Sequence, residues 1–107
     1  MSKYDLLRRE FEVAGHTFTL NGDIGKILLA LESRGIVLGE DNGRLQLMQN
    51  GQIIANSAMM VRMRQEFDSE FVPDPSRITR RSQLETVKQK TDYISQLGLE
   101  RFAALPK

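Results

Sequence analysis

The chain carries few side chains of the kinds that perform covalent or metal chemistry. It has no cysteine, so a thiol nucleophile and a cysteine metal cage are both excluded. Its single histidine, His16, excludes a site built from several histidines. The motifs GxGxxG and GxSxG are absent, and residues 22–27 (GDIGKI) lack both the glycine spacing and the Lys-Ser or Lys-Thr pair of a P-loop. We therefore expect a protein that is not an enzyme and that uses no cofactor and no metal ion.

The remaining candidates for acid–base chemistry have simpler explanations. His16 could act as a general base, but no serine nucleophile lies near it in the sequence, which favours a structural histidine. Glu40 and Asp41 precede an expected turn. A second group of carboxylates is interspersed mainly with apolar residues, which favours a solvated helix face over a metal site. This group is Glu66, Asp68, Glu70 and Asp74.

Five arginines in the second half of the chain form the first set that could carry a function. Clustered arginine side chains could contact the phosphates of a nucleic acid. The carboxylates nearby favour instead a solvated surface in which the charges balance. The set consists of Arg62, Arg64, Arg77, Arg80 and Arg81.

A stripe of methionine and phenylalanine residues forms the second set. Its members fall within roughly 120° of a helix with 3.6 residues per turn. Methionine packs adaptably both in cores and on binding surfaces, so this face is either core or partner surface. A small core has limited capacity to cover the whole arc, and an exposed apolar remainder marks a partner site. We expect a protein partner or a homodimer to bind through Met59, Met60, Met63, Phe67 and Phe71.

The composition describes one domain with almost balanced charge. The 107 residues include 15 Lys and Arg against 14 Asp and Glu, which gives no bulk attraction to nucleic acid or to a membrane surface. The longest apolar run, 27–31, is far shorter than the roughly 18–20 residues that a membrane span needs. The charged N-terminal residues do not form the apolar region of a signal peptide. We expect a cytoplasmic protein with a single domain over 1–107 and no membrane partner.

Two Asn-Gly dipeptides predict tight turns in the middle of the chain. Around Asn42-Gly43, opposite charges close the turn and apolar residues face each other further along. The same test succeeds around Asn50-Gly51. The predicted pairs are Asp41 with Arg44, Leu38 with Leu47, Val37 with Met48, Gln49 with Gln52, Met48 with Ile53, and Leu47 with Ile54. Residues 36–54 are therefore predicted to form a three-stranded meander.

A helix is predicted over 24–34, just after a third Asn-Gly dipeptide. Its apolar residues share one face at helical spacing, and they are Ile24, Ile27, Leu28 and Leu31. Asp23 can cap the start of this helix, and Gly35 can take the left-handed position at its end.

The first twenty residues fit two descriptions. Tyr4, Leu7 and Phe11 fit a helical stripe, whereas 10–20 alternate as two strands around Ala14-Gly15. The two-sided alternation favours strands, so we predict a short helix at 3–8 and a hairpin with strands at 10–13 and 16–20.

The second half of the chain is predicted to be helical. The first helix is capped by Asn56 or Ser57, includes the methionine stripe as far as Phe71, and ends before Pro73 and Pro75. The next helix begins at Ser82 or at Pro75. Ser82 is favoured because 82–85 (SQLE) reads as a capping box. It ends at Gly98, and 99–105 add a terminal turn.

The order helix, Arg-Gly, hairpin, helix resembles the N-terminal docking domains of the tubulysin-synthetase type. These are small α-β-β-α modules of peptide and polyketide synthetases. The resemblance covers about 24–71, and it implies dimerisation and the capture of a short linear segment against the hairpin. It rests on Leu28-Leu29, Leu31, Arg34-Gly35-Ile36, Leu38, Gly43-Arg44-Leu45, Met59 and Met63.

A second resemblance is to the recognition helix and wing of winged-helix regulators. It rests on the helix that ends at Gly35 and on Leu31-Glu32 before Arg34-Gly35-Ile36-Val37. It implies binding to DNA.

Together these patterns predict a small single α+β domain with an N-terminal hairpin, a helix, a central β-hairpin or meander, and C-terminal helices. The function they favour is that of a protein-interaction module, such as a docking subunit, an adaptor or an inhibitor of a larger assembly. The alternative is a winged-helix transcriptional regulator that binds DNA.

Overall fold

The N-terminal segment is a helix and not a hairpin. The computed structural model describes residues 2–14 and 17–107, and helix α1 spans Lys3–Ala14. The strand predicted at 10–13 is therefore wrong, while Gly15 and His16 lie outside the described residues. Leu6, Leu7 and Phe11 share the buried face of α1 with Glu10. Glu10 can lie on this buried face because its carboxylate forms an ion pair with Arg44.

The helix and meander predicted in the middle of the chain are confirmed. Helix α2 spans Ile24–Ser33, and the Asp23 side chain accepts a hydrogen bond from the Gly25 N–H. Strands β2 (Val37–Asp41), β3 (Arg44–Gln49) and β4 (Gln52–Ile54) pair antiparallel in the predicted register, pair for pair. At both turns the Asn and the Gly have positive φ, between 52° and 78°.

The methionine helix is shorter than predicted. Helix α3 spans Asn56–Glu66, a 3-10 turn follows, and Phe71–Pro73 form strand β5. Strand β5 pairs antiparallel with β1, which spans Phe18–Leu20. These two strands form a second sheet, and for this reason Phe71 is not part of the helix. Neither predicted residue caps α3. Asn56 instead donates its side-chain amide to the Leu45 carbonyl, at 2.6 Å, where β4 no longer covers β3.

The C-terminal helix begins later than predicted. Helix α4 spans Val87–Leu97, and the capping box is formed by Thr86 and Gln89. Ser82 lies instead in a 3-10 turn, and the next buried residue, Leu84, packs its side chain into a small separate cluster. Gly98, with φ of 93°, ends α4 as predicted, and α5 follows over Leu99–Ala104.

The fold is a small α+β domain, as predicted, with two hydrophobic clusters. The larger cluster joins α1, α2, α3, the meander and Phe71. The smaller cluster holds Ile78, Leu84 and Tyr93, with Phe102 and Leu105 packed against it. Among the described residues, no helix has both the length and the apolar character that crossing a membrane requires.

Candidate functional site

The methionine stripe lies in the core. Met60, Met63 and Phe71 are at most 2% exposed, Met59 is 9% exposed, and the half-buried Phe67 packs against the same cluster. The prediction of an exposed apolar remainder on this helix is therefore wrong. The reason is α1: residues 3–14 form one long helix, which packs against α3 and contributes Leu6, Leu7 and Phe11 to the same hydrophobic cluster.

The arginines of the first set have separate partners. The Glu66 carboxylate forms salt bridges with the guanidinium groups of both Arg62 and Arg34. These contacts, the Arg34 hydrogen bond foremost, hold the pKa of Glu66 below its usual range. Arg77 lies 3.5 Å from a carboxylate oxygen of Asp74. These surface arginines are thus balanced by carboxylates, as the simpler explanation expects.

Arg64 and Arg81 are half-buried. The guanidinium carbon of Arg64 lies 4.4 Å from the centre of the Phe18 ring, and its burial lowers the pKa of Arg64. Arg81 is half-buried, and its backbone N–H donates to the Pro106 carbonyl at 2.7 Å. Arg80 is exposed.

Glu70 forms a buried junction that the sequence patterns did not reveal. Its carboxylate accepts hydrogen bonds from the Asp23 N–H at 2.8 Å and from Lys26 Nζ at 3.2 Å. Its backbone carbonyl accepts from the N–H groups of Asn21 and Gly22. The start of α2, where 22–27 lack the P-loop pattern, therefore holds a carboxylate of the chain itself. A negative charge is favourable at this end of a helix.

We expect this junction to make the stability of the protein depend on pH. The hydrogen bond from Asp23, followed by that from Lys26, holds the pKa of Glu70 below its ordinary value of 4.5. A carboxylate with a depressed folded-state pKa stabilises the fold above its unfolded pKa, and that contribution is lost as the pH falls through the folded pKa. We expect Glu70→Gln to lower the free energy of unfolding at pH 7, with a deficit that shrinks as the pH falls from 5 to 3. Urea denaturation across this range measures it, and a constant deficit would contradict the prediction.

A second buried carboxylate lies beside the meander. Glu10 is 2% exposed, and it accepts hydrogen bonds from Arg44 Nε at 2.7 Å and from the other end of the guanidinium at 3.2 Å. The pair sits in an open groove of about 640 Å³ between α1, the meander and the start of α3. Val13 and Ile53 give this groove two exposed apolar side chains. The ion pair between Glu10 and Arg44 connects α1 to the β2–β3 hairpin.

The meander leaves an apolar row on the side that faces away from the core. Leu38 and Leu47 point inward and are buried, so their neighbours along each strand point outward. Val37, Met48 and Ile53 are direct partners across the three strands. Val37 is 64% exposed, Ile53 is 69% exposed, and Met48 lies between them, half-buried. We call this surface the outer sheet face, defined by Val37, Gly39, Gln46, Met48 and Ile53.

No cluster in the described part of the chain has the composition of a metal site. Within 2–14 and 17–107, no three His, Cys, Asp or Glu side chains are grouped so that they could hold an ion. The two buried carboxylates described above each have a basic partner. The outer sheet face is the candidate site on which exposed apolar side chains lie directly beside one another.

Comparison with known proteins adds no relative. No family model matches the chain, and no curated protein or solved structure matches it. The resemblances to docking domains and to winged-helix regulators therefore stay predictions.

Proposed function

We propose that this protein is a non-enzymatic interaction module that binds a protein partner through the outer sheet face. The observation that carries the proposal is the apolar row of Val37, Met48 and Ile53. Directly opposite residues in an antiparallel sheet have Cβ atoms about 4.5–5.5 Å apart, so the three side chains form one continuous surface. Contiguous exposed apolar surface of this kind marks interaction sites.

The other exposed large apolar side chains support the choice of this surface. They are Tyr4 and Val13 on α1, Leu29 on α2, Val61 on α3, Val87 and Leu97 on α4, and Leu99 on α5. Single exposed apolar residues are normal on a protein surface and need no partner. The outer sheet face differs because the strand register holds its apolar residues side by side.

The DNA-binding alternative has less support. Arg62 and Arg77 are paired with carboxylates, and Arg64 is half-buried against an aromatic ring. A guanidinium that is already paired must give up its partner before it can contact a phosphate. The nearly balanced net charge also provides little long-range attraction to a nucleic acid.

The proposal is tested by affinity capture from the source cells with a charged outer sheet face. The double variant Val37→Lys, Ile53→Lys is expected to lose the partner that the wild type captures, because two ammonium groups would have to be desolvated in the interface. The matched control is Val87→Lys, since Val87 is 79% exposed and lies on α4. Circular dichroism checks that all three proteins are folded.

The outcomes separate the alternatives. Loss of the partner in the double variant, with retention in Val87→Lys, supports the outer sheet face. Equal capture by the wild type and the double variant would contradict it. Light scattering after size exclusion adds the second-copy case: a wild-type dimer that becomes a monomer in the double variant identifies the partner as another copy of the chain.

A further inference from the structure

The edge of strand β5 is closed by side chains of α4. The backbone groups of Phe71 and Pro73 face away from β1, because the hydrogen-bonded pairs on either side are Thr17 with Asp74 and Asn21 with Glu70. Lys88 Nζ donates to the Phe71 carbonyl at 2.9 Å, and Gln96 Nε2 donates to the Pro73 carbonyl at 3.4 Å. The Phe71 N–H donates to the carbonyl of Asp68, and proline has no N–H. This edge therefore offers no free group to another strand.

The outer edge of strand β2 is not paired with another strand in the described part of the chain. The two-residue turn makes Asp41 and Arg44 a hydrogen-bonded pair, and the pairs then alternate along the strand. The N–H and C=O groups of Leu38 and Glu40 consequently point away from β3. Among the described residues, no group outside the sheet hydrogen-bonds to the backbone of either one. An edge with free backbone groups is a template for another strand.

Strand β2 has a glycine, Gly39, in its middle. A Cβ atom added at Gly39 would meet nothing nearer than the Gln46 carbonyl oxygen, 4.0 Å away, and Gly39 is not among the glycines with positive φ. Neither packing nor backbone conformation within the chain requires a glycine here. A glycine inside a strand often marks a place where another chain or ligand approaches closely.

The charges at the end of β2 select a basic partner over a second copy. Glu40 and Asp41 are exposed, and no described basic group lies within 4 Å of either carboxylate. Arg44, directly opposite Asp41, gives its hydrogen bonds to Glu10. Two β2 strands brought together would place four uncompensated carboxylates along one short interface. In an antiparallel pair through Leu38 and Glu40, a second copy would place its Leu38 opposite Glu40 and its Val37 opposite Asp41, which leaves the carboxylates without a basic partner, whereas a cationic segment would neutralise them.

We propose that β2 accepts an extended cationic segment of the partner as a fourth, antiparallel strand. The segment carries a Lys or Arg opposite Asp41, an aromatic residue opposite Gly39 and an aliphatic residue opposite Val37, which gives the pattern cation-x-aromatic-x-aliphatic. An aromatic side chain covers a cross-strand glycine well, and the aliphatic residue extends the apolar row. The two intervening residues supply the backbone bonds to Leu38 and Glu40. This inference rests on the proposed function and specifies its partner.

The probe is the peptide acetyl-TKTYTVT-amide, titrated to millimolar concentration against the ¹⁵N-labelled full chain. We expect the amide resonances of Leu38 and Glu40 to shift most. Exchange of the peptide lysine for glutamate is expected to weaken binding about fivefold or more, because an opposite-charge pair becomes a like-charge pair. Methylation of the amide nitrogens of the two central threonines is expected to abolish binding, because it removes the backbone donors. Asp41→Lys should favour the glutamate peptide, whereas the control Glu100→Lys, on exposed α5, should leave the preference unchanged.

Each result decides between strand addition and simple contact with the face. Binding that survives N-methylation, with shifts at Val37, Met48 and Ile53 only, would overturn strand addition and leave the proposed function standing. Absence of peptide binding would overturn this inference, and the capture experiment with the double variant then judges the proposed function separately. Binding without discrimination between the lysine and glutamate peptides would overturn the cationic assignment.

Discussion

Leu31→Ala is expected to lower the free energy of unfolding by about 2–5 kcal/mol. Leu31 lies on the inner face of α2, is completely buried, and belongs to the larger hydrophobic cluster. Its truncation removes apolar contacts from all sides, and the surrounding elements close the cavity only in part. Urea denaturation followed by circular dichroism measures the change.

The same helix supplies the control for this prediction. Leu29 is 69% exposed, so Leu29→Ala removes little buried surface and is expected to change the free energy of unfolding by less than about 0.5 kcal/mol. Both substitutions introduce the same residue into the same helix, and their difference therefore reports burial. Equal effects of the two substitutions would show that the inner face of α2 does not pack as described.

Gly22→Ala is expected to cost about 1–3 kcal/mol or more, because the new methyl group has no room. A Cβ atom at Gly22 would lie 1.8 Å from a carboxylate oxygen of Glu70 and 2.9 Å from the Glu70 Cα. The Glu70 side chain could rotate away from the new methyl group, but it would then lose its hydrogen bonds to Asp23 and Lys26. The contact between the methyl group and the Glu70 Cα would remain. Thermal unfolding monitored by circular dichroism measures the loss.

Gly39→Ala is the matched control for this substitution. The added methyl group at Gly39 meets no atom closer than 4.0 Å, and alanine is better suited than glycine to a strand interior. We expect a midpoint of thermal unfolding equal to or above that of the wild type. A loss at Gly39 as large as that at Gly22 would mean that the close approach to Glu70 is not the cause.

The burial of Glu70 also explains why its carboxylate group was misjudged from the sequence. Along the chain, Glu70 resembles its neighbours Glu66 and Asp68, and all three fit a solvated helix face. Only Glu66 behaves in this way, as an exposed partner of Arg34 and Arg62. Asp68 accepts bonds from Thr86 and Gln89 of the α4 capping box, and Glu70 reaches the start of α2. Their roles depend on segments that a local pattern does not contain.

The apolar surface that the structure leaves exposed differs from the one that the sequence favours. The strand pairs that build the outer sheet face were all predicted, including Val37 with Met48 and Met48 with Ile53. The apolar surface was nevertheless assigned to the methionine helix, because that helix has the longer apolar stripe. Which of two apolar surfaces remains exposed depends on the element that covers it, and that element is α1.

Elements whose interacting residues lie close together along the chain are predictable from local patterns. The Asn-Gly turns set the meander register, and Asp23 and Gly35 bracket α2, because turn geometry and capping act within a few residues. The continuation of α1 beyond residue 8, the β1–β5 pairing and the Glu70 junction depend instead on the tertiary structure. Asp23 and Glu70 are 47 positions apart, so the chain must be folded before either residue meets the other. A local pattern indicates which conformations a segment can adopt. Packing against distant segments determines which of those conformations forms in the folded protein.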